Sequence, residues 1–87
     1  MPPRVAVEDS LRRVKDRLRA GGFDVLSLSA GVPEHVVAIV VDGLDDRYLG
    51  RHDVVGRVPV IDASGRAPDD VLAEVGRRLR AAAVADL

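Results

Sequence analysis

The chain contains no cysteine and no tryptophan, and its 87 residues include one phenylalanine, one tyrosine and a single lysine, Lys15. Without thiols there are no disulfides, thiolate nucleophiles or zinc–thiolate sites. The near absence of aromatic rings argues against platforms on which nucleic-acid bases stack. Nor is there an excess of one charge. Thirteen basic side chains face fourteen acidic ones, for a net charge of −1. No global field therefore draws the chain to nucleic acid or anionic lipid, and neither is an expected partner. No apolar run approaches the roughly 20 residues of a membrane span. The opening "MPPRVAVEDS" has neither a long apolar core nor a cleavage-like site, so a soluble, cytoplasmic protein is expected. GxGxxG, P-loop and GxSxG patterns are also missing, which removes the usual dinucleotide, triphosphate and serine-hydrolase signatures.

What is present is aliphatic and charged: 47% apolar residues, mostly Val, Leu and Ala, and 31% charged. That balance belongs to a globular domain, and residues 1–87 have room for one core only. "RVAV" (Arg4 to Val7) reads as a strand. "EDS" then suits a helix start, with Asp9 or Ser10 as the expected cap. Leu11, Val14 and Leu18 recur at helical spacing until Gly21 and Gly22 end the helix. Phe23 to Ser29 is a second strand with interspersed polar residues, as at a sheet edge. Pro33 opens a short turn, and Val36 to Val41 is an unbroken apolar run, as expected of a central strand buried on both faces. A connection over 42–57 leads to the strand Val58 to Ala63, where Pro59 points to an edge. The last helix starts with Pro68, Asp69 and Asp70 and carries Arg77, Arg78 and Arg80 late; Val71, Leu72, Val75, Leu79 and Ala82 form its apolar stripe.

This order predicts an α/β fold with a small, four-stranded, mostly parallel sheet in the order 2-1-3-4. It is half of a flavodoxin- or Rossmann-like sheet carrying two long helices, both on one face. The other face is left with the short turn and the 42–57 loop. Exposed aliphatic surface costs about 25 cal/mol per Å², so a homodimer through that thinly covered face is expected, with Tyr48, Leu49, Val54 and Val55 contributing.

Open α/β sheets bind ligands at the carboxyl ends of their strands, where the strand order reverses. Here that point lies between strands one and three. Glu8, Asp9 and Ser10 would meet Asp42, Gly43 and Asp45 there, with Asp62 and Ser64 one strand away. Two readings follow. In the first, these residues are turns, caps and solvated strand ends of a non-enzymatic binding or regulatory module without a cofactor. In the second, the acids hold a small ligand or Mg²⁺, which takes one or two carboxylates plus water. An anion at the start of the first helix would be repelled by Glu8 and Asp9. A receiver-like phosphoacceptor role for Asp42 lacks a fifth parallel strand and the lysine after it. His35 and His52 are the only neutral-pH bases. His35 reads as surface in a short turn. His52 adjoins Asp53, but adjacent residues seldom face each other as base and orienter.

The segments "VAVEDSL" (Val5 to Leu11), "GFDVLSL" (Gly22 to Leu28), "VVDGLDD" (Val40 to Asp46), Gly50, Asp53, "VIDASG" (Val60 to Gly65) and "PDDV" span nearly the whole chain. At this spacing they resemble a small bacterial family, the YkuS-like proteins. The resemblance implies a short α/β cytoplasmic protein and no established reaction, substrate or cofactor. Glu8, Gly43, Asp45, Gly50 and Asp53 match the family pattern, and with Asp9 and Ser10 they make up the candidate ligand-binding set. Asp42 stands where relatives carry threonine, the cysteines some relatives have near strand three are absent, and Ala67 replaces a hydroxyl cap.

Overall fold

The structure, a computed structural model, describes residues 2–28, 35–43, 54–55 and 58–85. Along the chain run β1 (Arg4–Val7), α1 (Arg12–Ala20), β2 (Asp24–Ser27), β3 (Ala38–Val41), β4 (Val54–Val55), β5 (Val58–Asp62) and α2 (Pro68–Ala85). The sheet order is β2-β1-β3-β5-β4. The four longer strands are parallel and follow the expected 2-1-3-4 order. The stretch 42–57, expected to be loop throughout, contains a fifth strand. Val54 and Val55 pair antiparallel with Pro59 and Val58, so β5 is not the outermost strand. Pro59 is tolerated because it sits near the start of β5, ahead of the ladder to β3 that begins at Val60.

Strand register explains the two aliphatic layers. Leu26, Ala6, Ile39 and Val60 lie in one row across β2, β1, β3 and β5, and Ser27, Val7, Val40 and Ile61 form the next. Successive side chains point to opposite faces. Val5, Val7, Ala38, Val40 and Ile61 therefore share one core with Val14 and Leu18 of α1 and Val71 and Val75 of α2. Both helices cover that face, as the sequence order requires. Ala6, Ile39, Val41 and Val60 cluster on the other face with Val36, and Leu26, Leu28 and Val58 pack half-buried beside them. All four residues of β3 are fully buried, which is why this strand does not alternate.

α1 ends in a Schellman motif. Phe23 N–H donates to Leu18 O at 3.0 Å and Gly22 N–H to Arg19 O at 3.0 Å. Gly22 takes φ 95°, a backbone state that costs a side chain dearly. Its start differs from the sequence reading. Leu11 N–H donates to Glu8 O at 3.0 Å, closing a turn over Asp9 and Ser10. The N-cap position thereby falls on Leu11, which makes no side-chain cap. Neither Asp9 nor Ser10 caps the helix, because the turn places both before its first residue. α2 starts as expected: Asp70 and Val71 N–H donate to Ala67 O, and Asp69 and Asp70 lie in the first turn. It continues to Ala85, so its arginines lie mid-helix and its last turn holds no basic residue. The turn expected at Pro33, and Tyr48 and Leu49, lie outside the described residues.

Candidate functional site

The parallel pairing of β1 with β3 and of β3 with β5 brings three strand ends to one edge. Glu8 N–H donates to Val40 O at 3.0 Å and Ala63 N–H to Val41 O at 2.7 Å, extending the ladders one residue past the strands. Glu8 leaves β1 pointing toward β3, and its Oε2 accepts the Asp42 N–H at 3.2 Å. From the end of β5, Asp62 Oδ1 accepts two backbone N–H groups, Gly43 at 2.9 Å and Ser64 at 2.9 Å. Gly43 reaches this position with φ 91°, a left-handed turn that suits glycine. Asp62 thus joins the turn after β3 to the turn after β5.

This geometry shifts one titration. The Ser64 N–H holds the Asp62 carboxyl below its ordinary range. Partial burial opposes the shift, while the Ser64 hydroxyl, the Gly43 N–H and the charge of Arg66 reinforce it. The clustered acids do not meet as bare charges. Glu8 and Asp62 each accept donors from the backbone of the neighbouring turn.

Asp9 goes the other way. Its Oδ1 accepts from Lys15 Nζ at 2.6 Å and from Ser27 Oγ at 2.6 Å. The chain's only lysine therefore neutralises Asp9 on the β2 side of β1, while Glu8 serves the β3 side. Ser10 occupies a third position, in a groove beside Arg12, Arg13 and Arg66. The structure brings Glu8, Asp42 and Gly43 together and separates Asp9 and Ser10 from them. Asp45, Gly50 and Asp53 lie outside the described residues, as does His52, while His35 is exposed with φ 61°.

Asp62 and Arg66 carry more of this edge than the sequence reading assigned them. For Asp62 a local signal existed: in "DASG" an aspartate two residues before a serine is a pattern in which the carboxylate takes the N–H at i+2. For Arg66 there was none, since its role depends on where α1 begins. Among the described residues, no three His, Asp or Glu side chains lie together as a metal-binding group. No helix among them is long and apolar enough to cross a membrane.

Comparison with known proteins finds relatives along most of the chain. The UPF0180 protein YkuS of Bacillus subtilis is 33% identical over 92% of this chain and 100% of its own length. The UPF0180 protein BH2667 of Halalkalibacterium halodurans is 34% identical, over 90% of this chain and 96% of that one. A UPF0180 protein of Bacillus pumilus is 35% identical, over 88% and 98% respectively. No solved structure matches. The model of the uncharacterised protein family UPF0180 matches residues 3–78, and the chain belongs to that family.

Proposed function

We propose that this chain is a non-enzymatic binding or regulatory module. The observation that carries this reading is how the strand-end carboxylates are employed. Glu8 and Asp62 accept backbone N–H groups, and Asp9 accepts from Lys15 and Ser27. A general base must face a substrate proton and an orienting partner. These carboxylates instead face their own chain and brace its turns. A thermal-shift screen against divalent ions and common metabolites, run with turnover assays on each hit, tests the reading. A saturable rise in melting temperature without turnover supports it, because a ligand stabilises by RT ln(1 + [L]/Kd). Turnover of any hit overturns it.

The second reading places Mg²⁺ or a small ligand at the same edge, favoured by the carboxylates of Glu8 and Asp62 at neighbouring strand ends. A stabilisation by millimolar Mg²⁺ that Glu8→Gln abolishes would establish it. A homodimer is the companion proposal. Leu26, Leu28 and Val58, half-buried on the face opposite the helices, are the apolar surface that a second copy would cover. A monomeric mass by light scattering at micromolar concentration removes it.

A further inference from the structure

We propose that the groove between the start of α1 and the turn before α2 binds a compact phosphate monoester through Arg12, Arg13 and Arg66. The groove is open to solvent and offers about 430 Å³, within the range of small-molecule sites. Arg12, Arg13 and Arg66 line it together with Ser10, Leu11, Val14 and Pro68. Among the described residues, no Asp or Glu lines it.

The surrounding acids are committed elsewhere. Asp9 is paired with Lys15, Asp69 with Arg17, and Asp16 with Arg19 at 3.6 Å. Glu74 pairs with Arg66, Arg77 and Arg78, at 3.8, 3.4 and 3.7 Å. Among the described residues no carboxylate forms an ion pair with Arg12 or Arg13. The sequence objection to an anion here was repulsion by Glu8 and Asp9. The fold removes it, because Glu8 faces Asp42 and Asp9 faces Lys15. The helix terminus adds to this potential without making it, since the charge sits on side chains from two separate segments.

The chemistry favours a phosphate ester over other anions. Guanidinium forks match phosphate oxygens in paired hydrogen bonds. Arg66 is already oriented, its Nη2 donating to Asp70 O at 3.4 Å and its Nη1 near Glu74. Leu11, Val14 and Pro68 give a small organic group somewhere to rest. A nucleic-acid backbone is the poorer occupant, since the net charge is −1 and the chain holds one Phe, one Tyr and no Trp.

This inference deepens the reading of the chain as a binding module, and it can fail separately. The test is amide chemical shifts and melting temperature during titration with glycerol 3-phosphate and inorganic phosphate. Chloride at matched ionic strength and a short single-stranded DNA serve as further arms. Saturable shifts at Ser10 to Val14 and Arg66 are expected with both phosphates. Arg66→Ala and Arg12→Ala should each weaken binding about tenfold or more, the scale of a lost charged hydrogen bond. Arg80→Ala removes the same charge outside the groove and should leave the affinity unchanged. If Arg66→Ala disturbs the fold through Glu74, the exposed Arg12 and Arg13 carry the test. Equal shifts with chloride, equal loss in Arg80→Ala, or tighter binding of DNA overturns the proposal. A metabolite without phosphate that alone shifts the melting point sinks the groove and spares the module. Hydrolysis of glycerol 3-phosphate to glycerol and phosphate sinks the non-enzymatic reading and spares the groove.

Discussion

α2 begins with Pro68 at its first position and Asp69 and Asp70 in its first turn, so its positive end meets negative charge. α1 begins with Arg12 and Arg13, has no acid in its first turn and has no side chain capping Leu11. The longer helix satisfies its own terminus. The shorter one, nine residues long, depends on the core beneath it, into which it buries only Val14 and Leu18. Short helices are marginal without such packing. The contrast teaches that local propensity accounts for α2, whereas α1 is held by tertiary contact and leaves an electropositive end uncompensated.

The sharpest way to break the comparison is to remove the anchor. Leu18→Ala should cost about 2–5 kcal/mol in urea denaturation, a large share of the total for a domain of this size. Val75→Ala in α2 should cost less, about 2 kcal/mol, since fewer buried methylenes are lost. If the two rank the other way, α1 is not the dependent helix.

Asp62 comes next. Replacing it with alanine leaves the Gly43 and Ser64 N–H groups without their charged acceptor and should cost about 1–3 kcal/mol. Its titration gives a second handle. Because the folded carboxyl lies below its ordinary value of 3.8, its stabilising share is complete above that value. That share is lost as pH falls through the lowered folded value. Asp62→Asn should therefore flatten the acid limb of melting temperature against pH, and an unchanged limb would show that Asp62 does not brace the two turns.

Gly43→Ala should destabilise by about 1–2 kcal/mol, because φ 91° strains any side chain. Chemical denaturation at neutral pH checks it. The smallest effect sharpens the comparison directly. Arg12→Glu should stabilise α1 by about 0.3–1 kcal/mol at low salt, and Asp70→Arg should destabilise α2 by a similar amount. If Arg12→Glu also abolishes phosphate binding, the unfavourable charge at the α1 start has a functional counterpart. A site that costs stability is a common arrangement in natural proteins.

Most of the architecture was legible before the structure. The central place of Val36 to Val41 follows from an aliphatic run too continuous to face water on either side. The Gly21-Gly22 stop and the Pro68 start are local backbone rules that few contacts can override. β4 was not legible, since two valines in a polar stretch lack the length of a recognisable strand. The cap of α1 was misread because "EDS" suits both an N-cap and a tight turn. The Glu8–Leu11 hydrogen bond decides between them. At the candidate site, the meeting of Glu8 with Asp42 and Gly43 followed from strand order. The departure of Asp9 toward Lys15 and Ser27 did not, because Asp9 and Ser27 are eighteen positions apart and on separate elements.

What the sequence determined by itself is the layered α/β plan. Apolar periodicity, glycine stops and the proline start act within a few residues, and they fix which segments are strands, which are helices and in what order they come. What only the tertiary structure decided is how the charges are shared. Glu8, Asp9, Asp62 and Arg66 each select partners from other elements. A carboxylate or guanidinium settles on whichever donor or acceptor the packed backbone brings within about 3 Å. That distance is a property of the assembled sheet and not of any stretch of chain.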